Sequence, residues 1–261
     1  MINHSYLKYT IRSNIKFLIL FTVVLCVFLT VMIQVFTPET VEQIHTVTQG
    51  TIVSNILNGN GTLIGFMANS FYSIMAILFP MIYSIVVGNR LIAEKVEKGS
   101  MAGFLATPMT RLQLVCSSAL YFIMSLVLMW GIVSIVGIGL AEQFQPDNLD
   151  VSLFLKMNLG VLLYHFLISS ICFCSSCMFD SSKNSLIFGA GIPIYCFVIS
   201  LFMKLSGELD FLKYVTLDTL FDKQAILEGT GYVEKFYIMA FLGICCYGMG
   251  ITQFVKRDLP L

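Results

Sequence analysis

The sequence predicts an all-α, polytopic membrane protein with six transmembrane helices, and three observations carry that prediction. Of the 261 residues 57% are apolar and 11% charged, against roughly 45–50% and about 25% in an ordinary soluble chain. Six long intervals hold no Asp, Glu, Lys or Arg, each sufficient for the roughly 20 helical residues that cross a hydrocarbon core of about 30 Å. These intervals are about twice the length of a barrel strand, and a helix pairs its own backbone groups where lipid offers no partner. The 15 basic and 15 acidic residues cancel, so the basic excess on which nucleic-acid binding draws is missing.

Residues 1–16 place Leu7, Ile11 and Ile15 on one stripe and Lys8, Arg12 and Lys16 on the next. That pattern suits an amphipathic helix lying at the membrane surface, or a plain basic flank. The first span, 17–36, stays bulky to Phe36, Thr37 and Pro38, unlike the short apolar region and small-residue cleavage site of a signal peptide. Asn55, Asn58, Gly59, Asn60 and Gly61 read as a turn, and the second span is expected to follow at 62–88. Further spans fall at 112–140, 157–179, 184–203 and 236–254. Pro80 and Pro193 mark kinks, and Gly131, Gly137, Gly139, Gly189, Gly191, Gly243, Gly248 and Gly250 mark close helix contacts.

Six spans put both termini on one side. That side collects ten of the 15 basic residues and four acids, whereas the other holds eleven acids, among them Glu39, Glu42, Asp147 and Asp150. The Lys/Arg bias therefore makes the termini cytoplasmic. No loop on the acidic side contains a Cys, so disulfides are not expected. Cys172, Cys174 and Cys177 lack a neighbouring His or carboxylate at ligand spacing and lie among Ser169, Ser170, Ser175 and Ser176; they indicate close helix packing, and no metal site is expected.

Ion-coupled transport usually needs a buried acid or base, and the only ionisable candidate within the spans is His165, beside Tyr164. We expect it to be neutral and bonded to a neighbouring hydroxyl. His165 and Ser169 have i, i+4 spacing, which raises an intramembrane protease as a remote alternative, but no G-x-S-x-G turn accompanies them. No phosphate-cradling G-x-x-x-x-G-K-[ST] loop is present either, so this chain is not expected to hydrolyse nucleotides itself, and the energy for any transport would arrive from elsewhere.

The loop 89–111 has the clearest local grammar. The second span is expected to continue past Arg90 as a water-facing helix through Ile92, Glu94, Val96 and Lys98, with Glu94 and Lys98 paired at i, i+4. Gly99 ends it, Ser100 caps a short helix carrying Met101, Phe104 and Leu105, and Thr107 before Pro108 stops that helix. Thr110 and Gln113 form a capping box that opens the third span. Two turns of helix are marginal alone, so this one needs a surface, either headgroups or a cytosolic protein.

Gly99-Ser100-Met101-Ala102, Leu105-Ala106-Thr107-Pro108 and Arg111 resemble the loop between the second and third spans of ABC-2 type permeases, particularly the small ones of Firmicutes. The ending Phe254, then Lys256-Arg257-Asp258-Leu259-Pro260-Leu261, is similar to that family's ending. The resemblance implies a non-catalytic half-transporter of a bacterial plasma membrane, paired with a second permease subunit, identical or related. By the same resemblance no cofactor is expected in this chain, and two separate ATPases would use ATP and Mg. Residues Ser100 to Thr107 would be the coupling helix, framed by Glu94, Glu97, Gly99, Pro108 and Arg111. Residues 1–16 would be the elbow helix, with Lys8, Arg12 and Lys16 at the membrane interface.

Between the last two spans, 204–235 mixes six acids with apolar residues, including Phe211, Leu212, Leu220 and Phe221. It resembles the family's re-entrant outer segment, in which these four would be gate candidates; an amphipathic loop on headgroups is the other reading. Small Firmicute permeases of this kind export amphipathic peptides such as phenol-soluble modulins and lantibiotics, which makes such a peptide the expected cargo. A membrane scaffold that docks a cytosolic partner is the alternative from another class.

Overall fold

The computed structural model describes residues 3–35, 62–105, 107–206 and 216–257. The chain forms α1 (His4–Val35), α2 (Leu63–Asn69), a π-turn (Phe71–Met75), α3 (Ala76–Leu91), α4 (Ala93–Glu97) and α5 (Ser100–Leu105). It continues through α6 (Arg111–Phe144), α7 (Val151–Met178), α8 (Ser182–Ser206), a 3-10 turn (Leu217–Leu220), α9 (Lys223–Glu228) and α10 (Tyr232–Lys256). Six stretches among the described residues are long and apolar enough to cross a membrane: α1, the α2-to-α4 unit, α6, α7, α8 and α10. The turn around Asn55 to Gly61 lies outside the described residues, as do Glu39, Glu42 and the ending from Asp258.

Helix α7 is the hub. It packs against α3, α6, α8 and α10, while α1 lies against α6 and α3. The small residues of α7 make this possible. A Cβ added to Gly88 of α3 would stand 2.9 Å from Cys172 Cβ, one on Gly189 of α8 would stand 3.4 Å from Cys172 Cα, and one on Gly250 of α10 would stand 3.0 Å from Cys174 Cα. Three helices thus approach one Cys- and Ser-rich segment from different sides, where small side chains let membrane helices come close. The expected glycine contacts divide: Gly137, Gly189, Gly243 and Gly250 meet neighbours, whereas Gly131, Gly139, Gly191 and Gly248 face open space. All eight cysteines are free.

In α1, Leu25, Leu29 and Ile33 are buried at four-residue spacing, while Val23, Val27 and Val31 lie exposed on the outer face. A helix with one face on protein and one on lipid needs no polar side. The helix continues unbroken from residue 17 back to His4, so the expected elbow 1–16 is the continuation of the first span and not a separate helix. Tyr6, Thr10 and Asn14 give it a buried stripe of its own, and Lys8, Arg12 and Lys16 are exposed.

Both described ends of the chain lie at one end of the bundle. The Asn3 amide donates to Ser117 Oγ at 3.1 Å, near the start of α6, and Arg111 Nη1 donates to the Arg257 carbonyl at 2.8 Å.

Inside the bundle, Tyr72 Oη donates to Asn158 Oδ1 at 2.6 Å, and Asn158 Nδ2 donates to Ser134 Oγ at 3.0 Å. This chain ties the π-turn to α7 and α6. Pro80 lies inside α3, where it removes the N–H that would pair with the Ala76 carbonyl and crowds that turn. The next carbonyl, of Ile77, stands 3.2 Å from His165 Nε2, and His165 Nδ1 stands 3.1 Å from the Val161 carbonyl. His165 is therefore seated on backbone carbonyls and not on a hydroxyl as expected. Ser169 Oγ is turned to the Phe166 carbonyl and Tyr247 Oη, so His165 and Ser169 do not form a nucleophile–base pair.

Candidate functional site

At the end of the bundle that holds the termini, residues 89–111 form a compact bracket. Its first surprise is a break. Helix α3 stops at Leu91, and Ile92 takes φ −129° and ψ −67° before α4 begins. The Ala93 amide freed by this break donates to Ser176 Oγ of α7 at 2.9 Å, which removes the cost of an unpaired buried donor. Ile92, Ala93 and Val96 are buried, so α4 is a packed turn and not the water-facing helix expected here. Glu94 does carry the expected pair with Lys98, at 2.6 Å, and also reaches Arg90 at 3.8 Å.

Gly99 ends α4 with φ +67°, a conformation available at little cost only to a residue without Cβ. Ser100 opens α5, but its hydroxyl donates back to the Lys95 carbonyl at 3.2 Å in place of capping forward. Thr107 Oγ1 closes the short helix on the Phe104 carbonyl at 2.6 Å. The Thr110–Gln113 capping box is present, with both bonds at 3.1–3.2 Å. Thr107, Pro108 and Thr110 are exposed.

The apolar side of α5 faces the protein. Met101 is fully buried, and the Phe104 ring stands 5.3 Å from each of the Tyr6 and Tyr9 rings of α1. Lys95 completes this cluster: its Nζ lies 4.9 Å from the Tyr6 ring centre and 5.7 Å from those of Tyr9 and Phe104, and it donates to Tyr6 Oη at 2.9 Å. The outward surface of α5 is instead Ser100, Ala102 and Gly103. Leu105 ends the helix, and Ala106 lies outside the described residues.

The frame residues hold other helices. Glu97 Oε2 accepts from the Ser182 amide at 3.2 Å at the start of α8, where a carboxylate suits the unpaired amides and dipole of a helix N-terminus. Asn89 Nδ2 donates to Ser182 Oγ at 2.5 Å. Arg111 holds Arg257, the residue that follows α10, and Arg257 itself donates to the Cys177 carbonyl at 2.8 Å and pairs with Asp180. One short segment is thereby tied to α1, α7, α8 and α10.

Tyr6, Tyr9, Lys95 and Arg257 were not among the residues singled out for this site. The available signal was a pair of tyrosines three residues apart in a basic segment, which a charge count passes over.

At the opposite end, Phe211 and Leu212 lie outside the described residues. Phe221 is buried against the bundle, 6.2 Å from the Tyr164 ring, and Leu220 is half-buried. Asp222 caps α9 through the Ala225 amide at 3.1 Å and pairs with Lys235 Nζ at 2.6 Å. Burial raises the Asp222 carboxyl, but the Lys235 bond and the backbone amide outweigh it and hold the group below the ordinary carboxylate range. The segment from Leu217 to Leu227 thus folds back on the bundle, its apolar residues inward. Among the described residues no group of three or more His, Cys, Asp or Glu is placed to hold a metal ion.

The family model described as ABC-2 family transporter protein matches residues 6–217, most of the chain. Neither a curated protein nor a solved structure matches it.

Proposed function

Because the chain belongs to the ABC-2 family of transporter proteins and is a multi-pass membrane subunit of that family, we propose that it is the permease of an ATP-driven exporter in which the bracket 89–111 receives the stroke of a separate ATPase. The observation that carries this reading is the wiring of that bracket. Lys95 and Phe104 hold α1, Ala93 holds α7, Glu97 holds α8 and Arg111 holds the end of α10. A load on the outward face of α5 is thereby shared among contacts to four spans.

Two ATPases, with their ATP and Mg, serve a pair of permeases in this scheme. The cargo is an amphipathic peptide; the resemblance to small Firmicute permeases supports it, as does a subunit with no charged residue in the middle of its spans. Met101 and Phe104 hold α5 to the permease, so the ATPase meets Ser100, Ala102, Gly103, Thr107 and Pro108.

The test is to purify the permease with a candidate P-loop ATPase, sought first among the genes that flank its own, and to introduce Ala102→Glu with Gly103→Glu. Both positions are exposed and nothing lies within 4 Å of a Cβ added to Gly103, so the permease is expected to fold normally while the ATPase no longer copurifies. A variant complex that assembles with unchanged ATPase turnover removes the assignment. If the ATPase binds and hydrolyses ATP but no cargo crosses reconstituted vesicles, the scaffold reading replaces it.

A further inference from the structure

Between α1 and the segment from Arg90 to Ser100 lies an open cleft of about 130 Å³, lined among others by Ser13, Asn14, Arg90, Glu94, Lys95 and Lys98. Its charge is unbalanced. Glu94 serves both Lys98, at 2.6 Å, and Arg90, at 3.8 Å, which leaves three cations against one carboxylate. Lys95 has no carboxylate partner among the described residues; one of its three N–H donors goes to Tyr6 Oη. Asn14, only 2% exposed, donates to the Thr10 carbonyl while its Oδ1 has no partner. The cleft thus has surplus positive charge over an unsatisfied acceptor.

Its height identifies what it meets. The uncharged stretch of α1 begins at Phe17, and the Arg90 guanidinium lies 4.7 Å from the centre of that ring. Asn14 and Ser13 stand three and four residues further out, about 5–6 Å at the helical rise of 1.5 Å per residue. Each polar layer of a bilayer is roughly 5–8 Å thick, so the mouth of the cleft opens where lipid phosphates lie.

We propose that this cleft binds the phosphodiester of an anionic phospholipid whose headgroup carries hydroxyls, of the phosphatidylglycerol type. Arg90, Lys95 and Lys98 take the phosphate oxygens by charge-assisted bonds, and a headgroup hydroxyl satisfies Asn14 Oδ1. The lipid then clamps α1 to α4 and α5. This inference rests on the membrane setting and not on coupling to an ATPase, so it is tested without one.

The purified full chain, delipidated in detergent, is titrated by native mass spectrometry with phosphatidylglycerol, phosphatidylcholine and soluble glycerol 3-phosphate. Expected is one tightly held phosphatidylglycerol per chain and much weaker binding of the other two. At about a fivefold loss for each basic group near a membrane surface, Arg90→Gln with Lys95→Gln weakens phosphatidylglycerol binding about thirtyfold. Lys98→Gln, whose side chain is 68% exposed and whose loss does not threaten folding, weakens it about fivefold. Lys183→Gln, exposed at the same end of the bundle, leaves it unchanged. Equal binding of phosphatidylcholine, an equal loss in Lys183→Gln, or no loss in Lys98→Gln overturns the site. Glycerol 3-phosphate binding as tightly as the lipid overturns the lipid source and assigns the cleft to a soluble phosphate ester.

Discussion

Phe104 illustrates how one side chain divides two tasks. Its ring closes on Tyr6 and Tyr9 with Lys95 over all three, an arrangement in which aromatic and cation–π contacts add to apolar burial. Phe104→Ala should cost about 1–2 kcal/mol of stability. It should leave ATPase binding intact but lower the stimulation of ATP turnover by cargo, because α5 loses its hold on α1; undiminished stimulation refutes that division. At the other end, Asp222 has its folded-state carboxyl held low. The stability it contributes is therefore present above the unfolded value of about 3.9 and is lost as pH falls through the lower folded value. Hydrogen exchange in residues 217–228 should stay slow from neutral pH down to about pH 4 and quicken only below it, while Asp222→Asn should quicken it at pH 7. Protection that fades already between pH 7 and 5 contradicts this account.

At the scale of elements, the close contacts of α7 separate glycines that matter from those that do not. Gly88→Val and Gly250→Val push a side chain against Cys172 and the backbone at Cys174, an overpacking worth about 1–3 kcal/mol. Gly248→Val, with nothing within 4 Å, should change the thermal unfolding temperature in detergent little; equal losses at all three positions would refute the packing account. Such distinctions were not legible in the sequence. Gly248 and Gly250 sit two residues apart in one apolar run, and which of them meets α7 depends on helix rotation, which a run without polar residues does not encode. The spans themselves were legible because charge-free length is a one-dimensional property. The break at Ile92 was not, since Ile92 has ordinary helix propensity and the break is stabilised by Ser176, more than 80 residues away. For the same reason the outward side of α5 was not legible: apolar residues at helical spacing announce a buried stripe but not which body buries it, and for Met101 and Phe104 it is α1 and the bundle.

For the whole molecule, the charge division carries a topological prediction. With Lys/Arg bias putting the termini inside, a cysteine introduced at Lys98 should react with a membrane-impermeant thiol reagent only after cells are opened, and one at Glu228 should react in intact cells. Both positions are exposed, and the reverse pattern would invert the topology and take the bracket out of reach of an ATPase. The packing of α7 has a further consequence. From Gly160 to Cys177 none of its residues is exposed, because its flanks are filled by α3, α6, α8 and α10. A helix so enclosed lines no lumen among the described residues. In the reading proposed above, cargo would then travel over the outside of the bundle, along a seam that a second subunit completes.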